Sequence, residues 1–441
     1  KKGENPSLPE ILANISGIEY YRALEENKWY EIHKIRNICR SFIRCLIDNT
    51  FVFPQKNIIF ELLGTPCTDE DLEKLKNNTK LLSKSYSDYK YKIVDLKDNA
   101  HGMGLKIIDT MNMFGINYCL VGSLKEALEI RKFNKTIPIL TSYYVTKDEV
   151  YDCLNNDVTI TIFSKKYLEM LLSLKFKDNL NVQILIDNGS NILGINNQKE
   201  LGEIINIIND AKNITLTGIY TDLTSFGILD NFYYEQVNNF YEIIKPFINK
   251  DIMIHLNEPI MYHKKLDYVN GIRFDLSILG IEENLDDDFF TRTKIKNIEK
   301  KYGRLEFPNI DLELIFNITS EIMDIKNVSK NTLVGKSFIT KEDIFIGVCP
   351  IGHKDGITKA IKNVVINNQK YEVISDDIDK LFIKIDENIK VKDRVDILNE
   401  ESDVYEMLDF LHTNRYYLMS ILNHNLTKKY INAEELRDNL L

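Results

Sequence analysis

The chain has 441 residues, too many for one small core, so length alone predicts two or three domains. Its apolar fraction of 44% and charged fraction of 28% are those of an ordinary soluble globular protein. A formal net charge of -10 without a basic stripe argues against a nucleic-acid binder, and no apolar run approaches the roughly 20 residues that span a bilayer.

In chain order, residues 18–48 carry apolar positions such as Ile35, Ile38, Phe42 and Leu46 at helical spacing, which predicts a helical extension over 1–56. Residues 57–62 (NIIFEL) form a short strand candidate. Gly64, Pro66 and Thr68 then supply a turn and an N-cap for a helix through Leu72, Leu75 and Leu82. From Lys92 onward, eight apolar runs alternate with mostly helical connections: 93–96, 118–122, 137–144, 158–163, 182–187, 214–221, 252–256 and 272–279. Strict alternation demands a parallel sheet with helical crossovers. Eight units predict closure into a (β/α)8 TIM barrel over 71–305, with an open doubly wound sheet as the alternative. After the acidic stretch 282–288 and the basic stretch 294–304 the pattern changes to short strands at 312–318, 321–325, 345–348, 364–366, 381–385 and 394–398. This predicts a mainly β C-terminal domain over 306–441, closed by helices at 404–411 and 416–423. The six cysteines (Cys39, Cys45, Cys67, Cys119, Cys153, Cys349) show no CxxC pair and no metal-ligand spacing, so reduced thiols, no metal and a cytoplasmic location are expected.

The stretch with most chemical content is Lys92–Gly104, KIVDLKDNAHGMG, an apolar strand that delivers one lysine into a glycine-rich turn. A lysine at the C-terminal end of a barrel strand sits where such barrels do their chemistry, and desolvation there would favour the neutral, nucleophilic amine. A solvated strand-end lysine is the structural alternative. The residues 97–104, KDNAHGMG, resemble the K-A-N-A-Y-G-H-G motif of the alanine racemase family of fold-type III pyridoxal-phosphate enzymes. Further segments resemble that family in order: Gly271–Gly280, with Arg273 at the arginine of R-P-G-I-A-L-Y-G; PIGHKDG at 350–356 beside P-I-G-Y-A-D-G; Thr413–Tyr416 beside T-I-N-Y; and Leu426–Tyr430 beside V-P-R-V-Y.

The resemblance implies a homodimer acting on a small-molecule amino acid, and that 57–70 contributes a strand to the β domain. It implies that Lys97 holds pyridoxal 5'-phosphate, that Arg273 faces the pyridine nitrogen, and that His101 and Tyr416 lie near the cofactor. Racemisation needs an acid/base group on each face of Cα. The family uses the lysine and a tyrosine of the partner subunit, and His353 stands at that tyrosine. An imidazole, with a pKa of about 6.5 when unperturbed, can serve there. The structural alternatives are a strand-end ion pair for Arg273, a capped turn residue for His353 and a packed core tyrosine for Tyr416.

The departures are several. His101 replaces the motif tyrosine, and Leu185 and Ile192 replace a carbamylated lysine and an arginine near the substrate carboxylate. Asp222 replaces a histidine, Glu258 a phosphate-binding serine, and Asp376 the methionine before Asp377. Two functions follow: a racemase (an isomerase) in which Lys97 and His353 exchange the Cα proton, or a catalytically silent homologue acting as a dimeric scaffold.

Overall fold

In a computed structural model of the chain, the structure describes residues 67–224, 231–249, 251–257, 266–281, 289–305, 310–398, 400–422 and 426–431. The expected helix over 18–48, the strand candidate 57–62 and Glu258 lie outside these.

The first described strand, β1 (Cys67–Asp71), runs directly into α1 (Leu72–Ser85). The cap of that helix is therefore Asp71 and not Thr68: its Oδ1 accepts from the backbone N–H of Glu73 at 2.9 Å and of Lys74 at 3.2 Å. Eight parallel strands then close into a barrel in sequence order: β2 (Tyr91–Asp95), β3 (Tyr118–Val121), β4 (Ile139–Thr141), β5 (Val158–Ile162), β6 (Leu180–Ile186), β7 (Ile214–Thr221), β8 (Met253–Asn257) and β9 (Gly271–Phe274). β9 returns to β2, with Ile93 opposite Arg273. The last apolar run is shorter as a strand than its sequence suggests. It ends at Phe274, and Leu276–Leu279 forms a 3-10 turn capped by left-handed Gly280.

Around the barrel stand α2 (Ile107–Met113), α3 (Leu124–Phe133), α4 (Val150–Asn155), α5 (Lys165–Leu172), α6 (Gln198–Asp210), α7 (Asn231–Ile244) and α8 (Phe289–Tyr302). Their apolar stripes form the main core against the outer faces of the strands. Inside the barrel Ile93, Tyr118, Leu120, Leu140, Leu185, Tyr220 and Met253 form a separate packed plug. It carries one buried polar line, in which Gln183 bridges the Tyr118 hydroxyl (3.3 Å) and His255 Nε2 (2.8 Å).

The second sheet has nine strands among the described residues. They are β1, β10 (Phe316–Glu321), β11 (Asp324–Val328), β14 (Ile344–Cys349), β15 (Asn363–Ile366), β16 (Gln369–Asp376), β17 (Leu381–Ile385), β18 (Arg394–Leu398) and β19 (Thr427–Ile431), with β12 (Leu333–Val334) and β13 (Phe338–Ile339) as a separate hairpin. β1 lies between β10 and β19, antiparallel to the first and parallel to the second, so the described chain gives a strand to this sheet before it enters the barrel. Residues 312–315, expected as strand, are not part of β10, and β16 and β19 add strands where the sequence shows no alternation. The helices α9 (Glu401–Leu411) and α10 (Arg415–Ile421) follow β18. Buried Asn78 of α1 ties the two halves of the fold: its side chain donates to the carbonyls of Ile278 (3.2 Å) and Glu313 (2.8 Å) and accepts from the Glu313 N–H (3.0 Å).

Candidate active site

Lys97 follows β2 at the C-terminal mouth of the barrel. The next four residues, Asp98, Asn99, Ala100 and His101, all have φ between 54° and 56°, so the motif forms a left-handed turn built without glycine. Such a turn is locally unfavourable for L-residues and needs outside support. Glu126 of α3 gives it, accepting from the backbone N–H of Asn99 at 2.8 Å and of Gly122 at 2.9 Å. Ser123 caps the same helix by accepting from the Glu126 N–H at 3.2 Å.

The Lys97 ammonium meets Asp95 Oδ2 at 3.1 Å. Burial on its own would favour the neutral amine, as expected from the sequence. The carboxylates of Asp95 and Asp222 outweigh it and hold the lysine above its ordinary range, so in the free protein it is an ammonium. That corrects the expectation of a nucleophile poised by desolvation.

Arg273 leaves β9 into the same mouth and is 2% exposed. Its Nη2 donates to the Thr221 carbonyl at 2.8 Å, to Asn257 Oδ1 at 3.1 Å and to the Asp222 carboxylate. Asp222 is thus the ion-pair partner of the arginine. Burial would raise its pKa, but Arg273 and Lys97 hold it well below the usual carboxylate range. The guanidinium lies over the Tyr220 ring, 5.3 Å from its centroid, and Tyr220 stacks on His255 at 4.8 Å. Burial, aided by the Arg273 charge, pushes His255 well down, so that imidazole is neutral. Two donors of Arg273, Nε and Nη1, are buried without an acceptor among the described residues. A guanidinium with unmet N–H groups at a barrel mouth is matched by a ligand carrying an uncharged acceptor, and a pyridine nitrogen is one.

Tyr416 of α10 is 38% exposed, not a core residue, and its hydroxyl donates to the Asp275 carboxylate just beyond β9. The Arg415 guanidinium stands 4.0 Å from the same carboxylate and donates to the Ile281 carbonyl at 3.2 Å. The His101 imidazole acts on this carboxylate electrostatically, and its Nε2 is buried without a partner among the described residues.

His353 lies in a 3-10 turn, His353–Asp355, on the second domain. Its Nε2 pairs with the Asp376 carboxylate, and its backbone N–H donates to the Asp377 carbonyl at 3.0 Å. Its polar contacts are all on its own domain, and none reaches Lys97, Arg273 or Tyr416. Of the substituted positions, Leu185 is buried in the barrel plug and Ile192 is 71% exposed.

The structure therefore gathers Lys97 and Arg273 in one electrostatic group and His101 and Tyr416 around Asp275, and leaves His353 apart. Sequence reasoning missed Asp95, Glu126, Asn257, Asp275 and Arg415. Only Glu126 had a readable signal, the S-x-x-E spacing from Ser123 that marks a helix start. Cys119, Cys153 and Cys349 are free and buried, and burial pushes their thiols up to about 12. Among the described residues no helix is long and apolar enough to cross a membrane.

The model of the alanine racemase N-terminal domain matches residues 71–258, and that of the alanine racemase C-terminal domain matches 315–430. The alanine racemase of Helicobacter pylori (strain G27) is 27% identical over 351 residues, 76% of this chain and 91% of its own length. That of Borreliella burgdorferi (strain ZS7) is 27% identical over 380 residues, 82% and 96%. Among solved structures, alanine racemase from E. faecalis superposes with a TM-score of 0.71 at 19% identity, covering 83% of this chain and 98% of that one. A histidine racemase from Leuconostoc mesenteroides subsp. sake gives 0.70 at 15%, with 83% and 98% covered. At these identities the superpositions bear on the fold.

Proposed function

The chain belongs to the alanine racemase family, and from that premise we propose that it is a pyridoxal-phosphate-dependent amino-acid racemase working as a homodimer. The observation that carries the reading is the pairing of Lys97 with the unmet N–H groups of Arg273 at one barrel mouth. When bound, pyridoxal phosphate supplies an aldehyde for amine condensation and an electron-poor ring that spreads the charge left by a departing Cα proton. Arg273 would hold the ring nitrogen of that group, with Nε and Nη1 as its spare donors. Because a guanidinium stays charged, it gives that nitrogen a hydrogen bond and not a full proton, which favours simple proton exchange over deeper carbanion chemistry.

Lys97 works on one face of Cα. Once its nitrogen is free as a neutral amine, the Asp95 carboxylate that stabilises its ammonium makes it a strong proton acceptor. His353 of the second copy works on the opposite face, held through Nε2 by Asp376, which leaves Nδ1 as the exchanging atom. With Leu185 and Ile192 in place of a charge pair, the substrate carboxylate is held differently from that of the alanine racemases.

A second reading, a silent dimeric homologue, is favoured by one observation: the three cations of the mouth each have an in-chain carboxylate, Lys97 with Asp95, Arg273 with Asp222 and Arg415 with Asp275. An absorbance spectrum separates the two. A visible band that borohydride bleaches, with the label mapped to Lys97, and Cα deuterium exchange on L- or D-amino acids are expected. Absence of the band in excess pyridoxal phosphate refutes the racemase.

A further inference from the structure

We propose that Asp275 is a built-in occupant of the place where the cofactor's phosphate would go, so that this chain discriminates little between pyridoxal and pyridoxal phosphate. The inference rests on the racemase reading above for the ring and goes beyond it for the phosphate.

The Tyr416 hydroxyl and the backbone N–H of Ser277 donate to the Asp275 carboxylate, the Arg415 guanidinium stands 4.0 Å from it, and the His101 imidazole favours its charged form electrostatically. Such a set, one cation with neutral donors around a buried oxygen group, is an anion site by its chemistry. Here the anion belongs to the chain. The carboxylate is well accommodated: burial would raise its pKa, but Arg415, Tyr416 and His101 hold it below the ordinary range.

The location ties the site to the ring. Asp275 lies two residues beyond Arg273 and His101 four beyond Lys97, at the ends of neighbouring strands β9 and β2. A ring anchored at Lys97 and Arg273 has these two loops beside it, and the charge of a phosphate brought there would meet that of Asp275. The pocket has donor capacity left, since His101 Nε2 has no partner among the described residues, but its net charge is already cancelled. A phosphate must displace or face the carboxylate, and little of its usual binding energy remains.

The test is equilibrium binding of pyridoxal and pyridoxal phosphate to the full chain, followed by absorbance and by borohydride labelling. Dissociation constants within about threefold of each other are expected for the wild type, and Asp275→Asn tightens pyridoxal phosphate by about tenfold or more while leaving pyridoxal unchanged. Asp275→Gly, which also opens space, gives the same ordering if the asparagine variant folds poorly. A wild type that binds the phosphorylated form more than about a hundredfold more tightly overturns the proposal. If neither aldehyde labels Lys97, the racemase reading fails. Equilibrium dialysis with inorganic phosphate still decides this one: phosphate bound by Asp275→Gly but not by wild type supports it, and phosphate bound by neither, or equally by both, refutes it.

Discussion

Asp95→Asn tests the electrostatics of Lys97 directly. The ion pair is 3.1 Å long, and Coulomb's law at that distance gives about 1 kcal/mol in water and about 5 kcal/mol at the dielectric of a protein surface. The Lys97 side chain is 34% exposed, so screening places the effective value at about 1 to 3 kcal/mol, or about one to two pKa units. The substitution removes a charge that favours the ammonium, so the lysine pKa falls. At a fixed pH below the titration of either protein, the neutral fraction rises by about tenfold to a hundredfold. The assay is the rate of reductive labelling of Lys97 by pyridoxal with cyanoborohydride, resolved by peptide mass mapping. Asp222 still faces Lys97 in the variant, so its pKa stays above that of a free lysine. A variant that labels no faster than wild type, with unchanged thermal stability, refutes the assignment of Asp95 as the group that holds the proton on.

His353→Phe lowers Cα deuterium exchange by about a hundredfold to ten-thousandfold. Asp376→Asn lowers it less and Asp376→Glu restores part of the loss, measured by NMR on separate L and D substrates; full exchange in His353→Phe excludes the imidazole from the reaction. Glu126→Ala strips two backbone N–H groups of their acceptor and destabilises the fold by about 2 to 4 kcal/mol, read by denaturant titration, with slower aldehyde labelling of Lys97 as the local signature. The buried neutral His255 gives a pH dependence of defined sign. Its folded pKa is depressed, so the unfolded chain binds the extra proton first, and stability present above about pH 6.5 falls by about 1.4 kcal/mol per unit as the pH drops below it. Chemical denaturation across this range reads the slope, and its persistence in His255→Gln would contradict the assignment.

The barrel was legible because each of its strands is an apolar run between amphipathic helices, and burial on both faces enforces that composition. The second sheet was less so. β16, QKYEVISD, is mostly polar and half-exposed, and β1 continues without a break into a helix, so neither shows a period of its own. At the site the residues with a motif around them, Lys97 and Arg273, could be found. Their partners could not, because the ion pair of Arg273 and Asp222 spans 51 residues of chain and the hydrogen bond of Tyr416 to Asp275 spans 141. The sequence shows which positions changed. It does not show that three of the carboxylates would each settle against a cation of the mouth.

The left-handed turn after Lys97 has a consequence for when the surroundings of that residue become complete. Four successive non-glycine residues of that hand, at roughly 1 to 2 kcal/mol each, do not form in a short peptide. They form when α3 has docked and the mouth is complete. A nascent or partly assembled chain, such as one still on the ribosome, presents an ordinary flexible lysine there. Full ordering of the turn is in this sense a checkpoint, reporting that the mouth around Lys97 has closed.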